Sequence, residues 1–241
     1  MKFLATLLLT AISLSANGQG FIDLDFETAN LSPVPPNHGG PVPIASALPG
    51  WSASAGSEPF TEVLQNAIDY GAANVSILGP NYPAAGPQSQ ADGAIGTLDG
   101  NYTVLLQSGI GGNPDQSNPA NVSISQNGTI PVGMQSIQFK AWQGPYSTSS
   151  LEASFDGNTL TLVPLALTSD YNSYAVNISS YAGQSGTLTF TALIQNNGLS
   201  LIELDDIKFS PQAVPEPSPL ILTVFGGLMF LFRRRFAAIK P

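Results

Sequence analysis

The segment Thr187-Leu188-Thr189-Phe190-Thr191-Ala192-Leu193 decides the fold class. Successive side chains of a strand point to opposite faces, so this pattern sets Thr187, Thr189 and Thr191 on one side and Leu188, Phe190 and Ala192 on the other. One wet face and one buried face is what an antiparallel sheet over a core requires. Working outward, the same period or a compact apolar run predicts strands over Phe21 to Phe26, Val75 to Leu78, Tyr102 to Gln107, Val122 to Gln126 and Ser136 to Trp142. Further strands are predicted over Leu151 to Phe155, Thr159 to Val163, Tyr174 to Ile178 and Leu201 to Phe209, with the opening segment running on to Ile194. Between two of them lies Asp156-Gly157-Asn158, whose residues tolerate positive φ and suit a hairpin turn.

Helical signals are scarce. Only Glu62 to Tyr70 offers a helical face, through Val63, Leu64, Ala67 and Ile68. Ser32 to Pro49 and Gly79 to Gly100 are rich in Pro, Gly and Gln and read as irregular surface loops. Many short strands with antiparallel turns predict an all-β fold, an antiparallel two-sheet jelly-roll sandwich.

The chain has 241 residues and no cysteine, which removes disulfides, thiolate chemistry and Cys-based zinc sites. Its net charge of -9 understates the asymmetry, because only Lys140 and Lys208 are basic between residues 19 and 210. With no basic patch for phosphates, nucleic acid is excluded as a partner, whereas neutral glycans, cation-bridged polymers and calcium remain admissible.

Both ends carry targeting patterns. Lys2, the apolar run Phe3 to Leu14 and the small-x-small triplet Ala16-Asn17-Gly18 predict a signal peptide over residues 1–18, cut after Gly18 and implying a secretion translocon and signal peptidase as partners. Residues 19–210 form one ectodomain, 211–218 a Pro-rich linker, and 219–241 a membrane helix with a basic tail. The uncharged run Leu220 to Phe232 spans only about 20 Å as a helix, against roughly 30 Å of hydrocarbon, so it inserts with mismatch. Arg233, Arg234 and Arg235 resist crossing and keep the C-terminus cytoplasmic.

The order Val214-Pro215-Glu216-Pro217, short apolar helix and basic cluster resembles the PEP-CTERM sorting signal of Gram-negative bacteria that make an extracellular polysaccharide matrix. The resemblance covers about the last 28 residues. It implies an exosortase as partner and a route from the membrane to the cell surface or a biofilm matrix.

A second resemblance rests on Asp25-Phe26-Glu27, Leu48-Pro49-Gly50-Trp51 and Leu204-Asp205-Asp206-Ile207-Lys208-Phe209-Ser210, which look like galactose-binding-like jelly rolls, the fold of many carbohydrate-binding modules. It implies first and last strands lying close together with a structural calcium where they meet. On that basis Glu27 and Asp206 are the first candidate ligands, and Asp25 and Asp205 the second, the alternative being exposed strand-end carboxylates with no metal.

Sugar binding needs an aromatic platform beside hydrogen-bonding groups, which makes Trp142, Tyr146, Trp51 and Tyr82 the candidates; packing is the alternative for each, and for Trp51 first. Catalysis is not expected. His38 is the only histidine, so a triad or a multi-histidine zinc site would rest on it alone. Glu203-Leu204-Asp205-Asp206 resembles the Glu-x-Asp-x-Glu strand of sandwich-fold glucanases but lacks the terminal Glu. The sequence therefore points to an exported binding module, with exopolysaccharide as a candidate partner. A matrix protein without a specific ligand and a glycoside hydrolase are the competing readings.

Overall fold

The computed structural model describes residues 20–31, 40–67, 72–80, 82, 96–110, 119–144, 150–194 and 200–214. The signal-peptide reading, His38, Tyr146, the sorting motif beyond Val214 and the C-terminal apolar run with its arginines lie outside them. Among the described residues, no helix is long and apolar enough to cross a membrane.

In chain order the strands are β1 (Gly40–Pro43), β2 (Ser52–Ala55), β3 (Glu58–Pro59), β4 (Glu62–Gln65), β5 (Asn74–Leu78), β6 (Thr103–Ile110), β7 (Pro119–Ala120) and β8 (Val122–Thr129). There follow β9 (Ser136–Gln143), β10 (Ser150–Phe155), β11 (Asn158–Leu160), β12 (Val163–Leu167), β13 (Asn172–Asn177), β14 (Ser185–Leu193) and β15 (Ser200–Ser210). One sheet has the order β1-β4-β5-β6-β15-β9-β13-β12, with β7 beside β6, and the other the order β11-β10-β14-β8-β2-β3. Pairing is antiparallel except between β4 and β5. From β6 onward the chain passes back and forth between the sheets, and β15 closes the larger sheet between β6 and β9.

The alternation of β14 is realised residue by residue: Leu188, Phe190 and Ala192 are fully buried, while the threonines between them are half-buried on the outer face. Phe190 meets Phe139 of the opposite sheet edge-on at 5.1 Å, a contact that ties the two sheets through the core. The β10–β11 hairpin closes through Asp156 and Gly157, both at positive φ (48° and 74°), between the paired residues Phe155 and Asn158. Two positive φ values in a two-residue loop match the twist of the flanking strands.

Four sequence expectations are corrected. The helix expected over Glu62 to Tyr70 does not begin at Glu62, because Glu62–Gln65 is β4, paired to β1 and β5 with Val63 buried; Ile68 to Tyr70 lie outside the described residues. Phe21 to Phe26 is not a strand: Asp23 and Phe26 adopt φ of 50° and 59°, which break an extended run, and turns occupy the segment. It is pinned instead by Gln126, whose side chain accepts the Ile22 N–H at 2.6 Å and donates to the Ile22 carbonyl at 2.9 Å. Within Ser32 to Pro49, β1 and a single helical turn (Ile44–Ala47) replace part of the expected loop. Thr159 to Val163 also divides, its first half in β11 and Val163 opening β12 in the other sheet.

Candidate functional site

Two of the four candidate aromatics belong to the interior. Trp51 is 4% exposed, packs against Phe26 and Phe190, and donates its indole N–H to the Asp23 carbonyl at 3.0 Å. Tyr82 is buried in a small cluster with Leu78, Leu105 and Leu201 on the outer side of the larger sheet. Trp142 is half-buried against that cluster. The structure thus brings Tyr82 and Trp142 together by packing, with Tyr82 buried and Trp142 partly exposed.

The acidic candidates have partners of their own. Glu27 reaches across to the loop before β6: one oxygen accepts the N–H groups of Asn101 at 2.7 Å and Tyr102 at 3.0 Å, and the other accepts the Asn101 side-chain amide at 2.8 Å. Asp205 is 1% exposed and accepts the Thr103 hydroxyl at 2.5 Å and the N–H groups of Asp99 at 3.0 Å and Asp206 at 2.7 Å. Burial dominates and pushes the Asp205 carboxyl up to about 7 despite those donors. Asp25 accepts a weak bond from the Glu27 N–H at 3.5 Å.

Neighbours on a strand point oppositely, yet Asp206 meets a lysine on the face of Asp205. A bulge between Asp205 and Lys208, with Asp206 at φ 48°, turns it there. Asp206 contacts Lys208 at 2.8 Å and Lys140 at 3.4 Å, and Lys140 also contacts Asp99 at 2.8 Å. Burial alone would pull the Lys140 ammonium down, but its hydrogen bond to Asp99 and the nearby charges of Asp206 and Asp99 raise it overall. The hydrogen bond from Lys140 chiefly lowers the Asp99 carboxyl.

Calcium needs six to eight oxygens that are free to turn toward it. Glu27 has both oxygens committed to protein N–H groups, and two ammonium groups already neutralise Asp206. Among the described residues, no three metal-ligating side chains converge. The four candidate carboxylates are thus not gathered into one group of ligating side chains among the described residues. The terminal segments do meet as expected, through the Ile207 N–H and the Leu24 carbonyl at 3.1 Å.

Among the described residues, a concavity that could take a ligand lies elsewhere, at the lateral edge where β3 of the smaller sheet turns into β4 of the larger. It is a cleft of about 330 Å3, within the range of small-molecule sites. Phe60, half-buried, stands between the exposed carboxylates Glu58 and Glu62, with Pro41, Thr61 and Asn74 completing the walls. No cation lines it. Two local bonds set its shape, from the Phe60 N–H to the Ala53 carbonyl at 2.9 Å and from the Ile44 N–H to the Thr61 carbonyl at 3.0 Å. Phe60 is not among the aromatic candidates drawn from sequence; the Glu-x-Phe-x-Glu spacing at 58, 60 and 62 is the signal that could have found it.

No family model matches the chain, and neither does any curated protein. Among solved structures, similarity is found to TmCBM61 in complex with β-1,4-galactotriose, at 15% identity and TM-score 0.41, covering 80% of this chain and 99% of that one. The K1 cleaved adhesin domain of Lys-gingipain from Porphyromonas gingivalis W83 gives 12% identity and TM-score 0.41, covering 74% and 99%. The enzymatically active domain of bacteriophage CBA120 tailspike protein 4 gives 14% identity and TM-score 0.33, covering 67% of this chain and 19% of that one. At such scores the architecture rests on this chain's own strand order, which defines an all-β protein of two facing sheets.

Proposed function

We propose that this chain is a non-catalytic β-sandwich of jelly-roll connectivity that binds neutral carbohydrate through the cleft around Phe60. The observation that carries the reading is an aromatic side chain beside two exposed carboxylates in a 330 Å3 cleft whose described lining holds no cation. A pyranose offers an apolar face ringed by hydroxyls, so the Phe60 ring serves as floor while Glu58 and Glu62 accept hydrogen bonds. Both lysines among the described residues are held in ion pairs, which disfavours acidic polymers.

The test is titration of the full-length chain, purified in mild detergent, with neutral and acidic oligosaccharides. Saturable binding of a neutral sugar that weakens roughly tenfold or more in Phe60→Ala, the loss of about 1.4 kcal/mol, supports the cleft. Equal affinity in the variant, or preference for the acidic sugars, rejects it, and no binding at all leaves a structural matrix protein as the better reading.

The proposal includes export. Val214 to Pro217 act as the recognition signature for an exosortase, and the apolar run with its arginines holds the chain in the membrane until processing. In a host with an active exosortase, Pro215→Ala/Pro217→Ala is expected to accumulate at the inner membrane in a larger form. Normal maturation of this variant would overturn the sorting assignment.

A further inference from the structure

The outer face of the six-stranded sheet has no function in the cleft reading, and it is chemically unusual. Register aligns Ser52, Ser125, Thr189, Ser154 and Thr159 in one row across β2, β8, β14, β10 and β11. A second row holds Ser54, Ser123, Thr191 and Glu152, and a third holds Asn127 and Thr187. Each of these side chains is half-buried or exposed, and Glu152 is the one charged member. Cross-strand bonds fix several hydroxyls: Ser123 Oγ to Thr191 Oγ1 at 2.8 Å, and Thr187 Oγ1 donating to Asn127 Oδ1 at 2.5 Å.

A hollow of about 180 Å3 interrupts this face. The pairing of β2 with β8 starts at Ser52 and Ser125, so no residue of β2 pairs with Asn127. The chain at Ile22 passes beside the gap, anchored by Gln126. Gly50 permits the close approach, since a Cβ there would lie 2.6 Å from the Ile22 side chain. The walls of the hollow are therefore the 42% exposed Ile22, together with Gly50, Ser52, Ser125 and Asn127.

We propose that this face is a second saccharide site, taking a neutral, extended polysaccharide chain. One pyranose sits in the hollow with its apolar face on Ile22 and its hydroxyls exchanging bonds with Ser52, Ser125 and Asn127, while the chain continues over Thr187, Thr189 and Ser154. Hydroxyl and amide groups each donate and accept, which is the complement a polyol presents. A single exchanged hydrogen bond nets only about 1 kcal/mol against water, so a lone sugar is held weakly and a chain touching many groups is held well. The cross-strand bonds reduce the ordering cost. The absence of any cation from the rows excludes phosphate and sulfate polymers. A protein partner would require an aromatic- or Arg-rich centre, which the face lacks.

This site is separate from the cleft, so it is tested in both the wild-type and the Phe60→Ala background. The full-length chain in mild detergent is sedimented with particles of cellulose, chitin and β-1,3-glucan. Co-sedimentation with at least one polymer is expected in both backgrounds. The retained amount should fall roughly tenfold or more in Ser125→Glu/Thr189→Glu, the equivalent of losing one to two hydrogen bonds. Should that variant fail to melt cooperatively, Ile22→Ser/Asn127→Ala at the rim of the hollow replaces it. Absence of wild-type retention on all three polymers, or equal retention by the face variants, overturns the proposal. Binding of soluble oligosaccharides at the cleft is read separately by titration, so the two readings can fail independently.

Discussion

At Asp205 the carboxyl is almost fully buried, yet it accepts bonds from Thr103, Asp99 and Asp206 and so fastens the start of β6 to β15. Burial raises its pKa from the model-compound 3.8 to about 7 in the folded state. The native protein therefore holds a proton that the unfolded chain releases between those two values. By linkage, this stabilisation is fully present below about pH 4, declines as pH rises, and is gone above about pH 7, with a total on the order of 4 kcal/mol. Asp23, also raised by burial, adds a change of the same sign. The expected outcome is a thermal midpoint that falls as the buffer is taken from pH 4 to pH 8, with a clearly shallower fall in Asp205→Asn. Equal slopes in the two proteins would mean that the folded carboxyl titrates like an exposed one.

At the scale of elements, what the sequence revealed depended on whether an element is decided by its own residues or by its neighbours. β14 and the β10–β11 hairpin are local: alternation and the Asp-Gly pair specify them, and both stand where expected. β4 is not local. Val63, Leu64, Ala67 and Ile68 suit a helical face, but Val63 is buried beside β1 and β5, and pairing outweighs a weak propensity. The segment from Phe21 to Phe26 is apolar enough for a strand, and what prevents one is the Gln126 clamp contributed from 104 residues away, together with the positive φ at Asp23 and Phe26. The candidate site suffered in the same way. A bulge at Asp206 placed it on Lys140 alongside Asp205, against the alternation rule used to rank those two carboxylates. Trp51 was legible as core because the apolar segments around it were; Phe60 was not, since its cleft forms only when two sheets meet.

The whole molecule carries sixteen acids and seven bases, and the only bases from residue 19 to residue 210 are Lys140 and Lys208. Both are spent internally, on Asp99 and Asp206, so the electrostatic field outside the sandwich has no positive focus to gather an anionic polymer. Steering of an anionic polymer is then unavailable, and on the proposed reading recognition of a neutral glycan comes from short-range contacts at the cleft and on the hydroxyl face. Short-range hydrogen bonding and ring stacking are barely screened by salt, whereas an interaction that gathers counterions weakens steeply with it. The affinity for a neutral glycan is accordingly expected to stay within about twofold when sodium chloride is raised from roughly 0.05 to 0.5 M, where the Debye length shrinks severalfold. Heparin and DNA are expected not to bind even at the low end. Titration across that salt series checks both: a steep loss of glycan affinity would place charge pairing at the heart of recognition and would move attention from Phe60 and the serine and threonine rows to the Lys140 and Asp206 cluster.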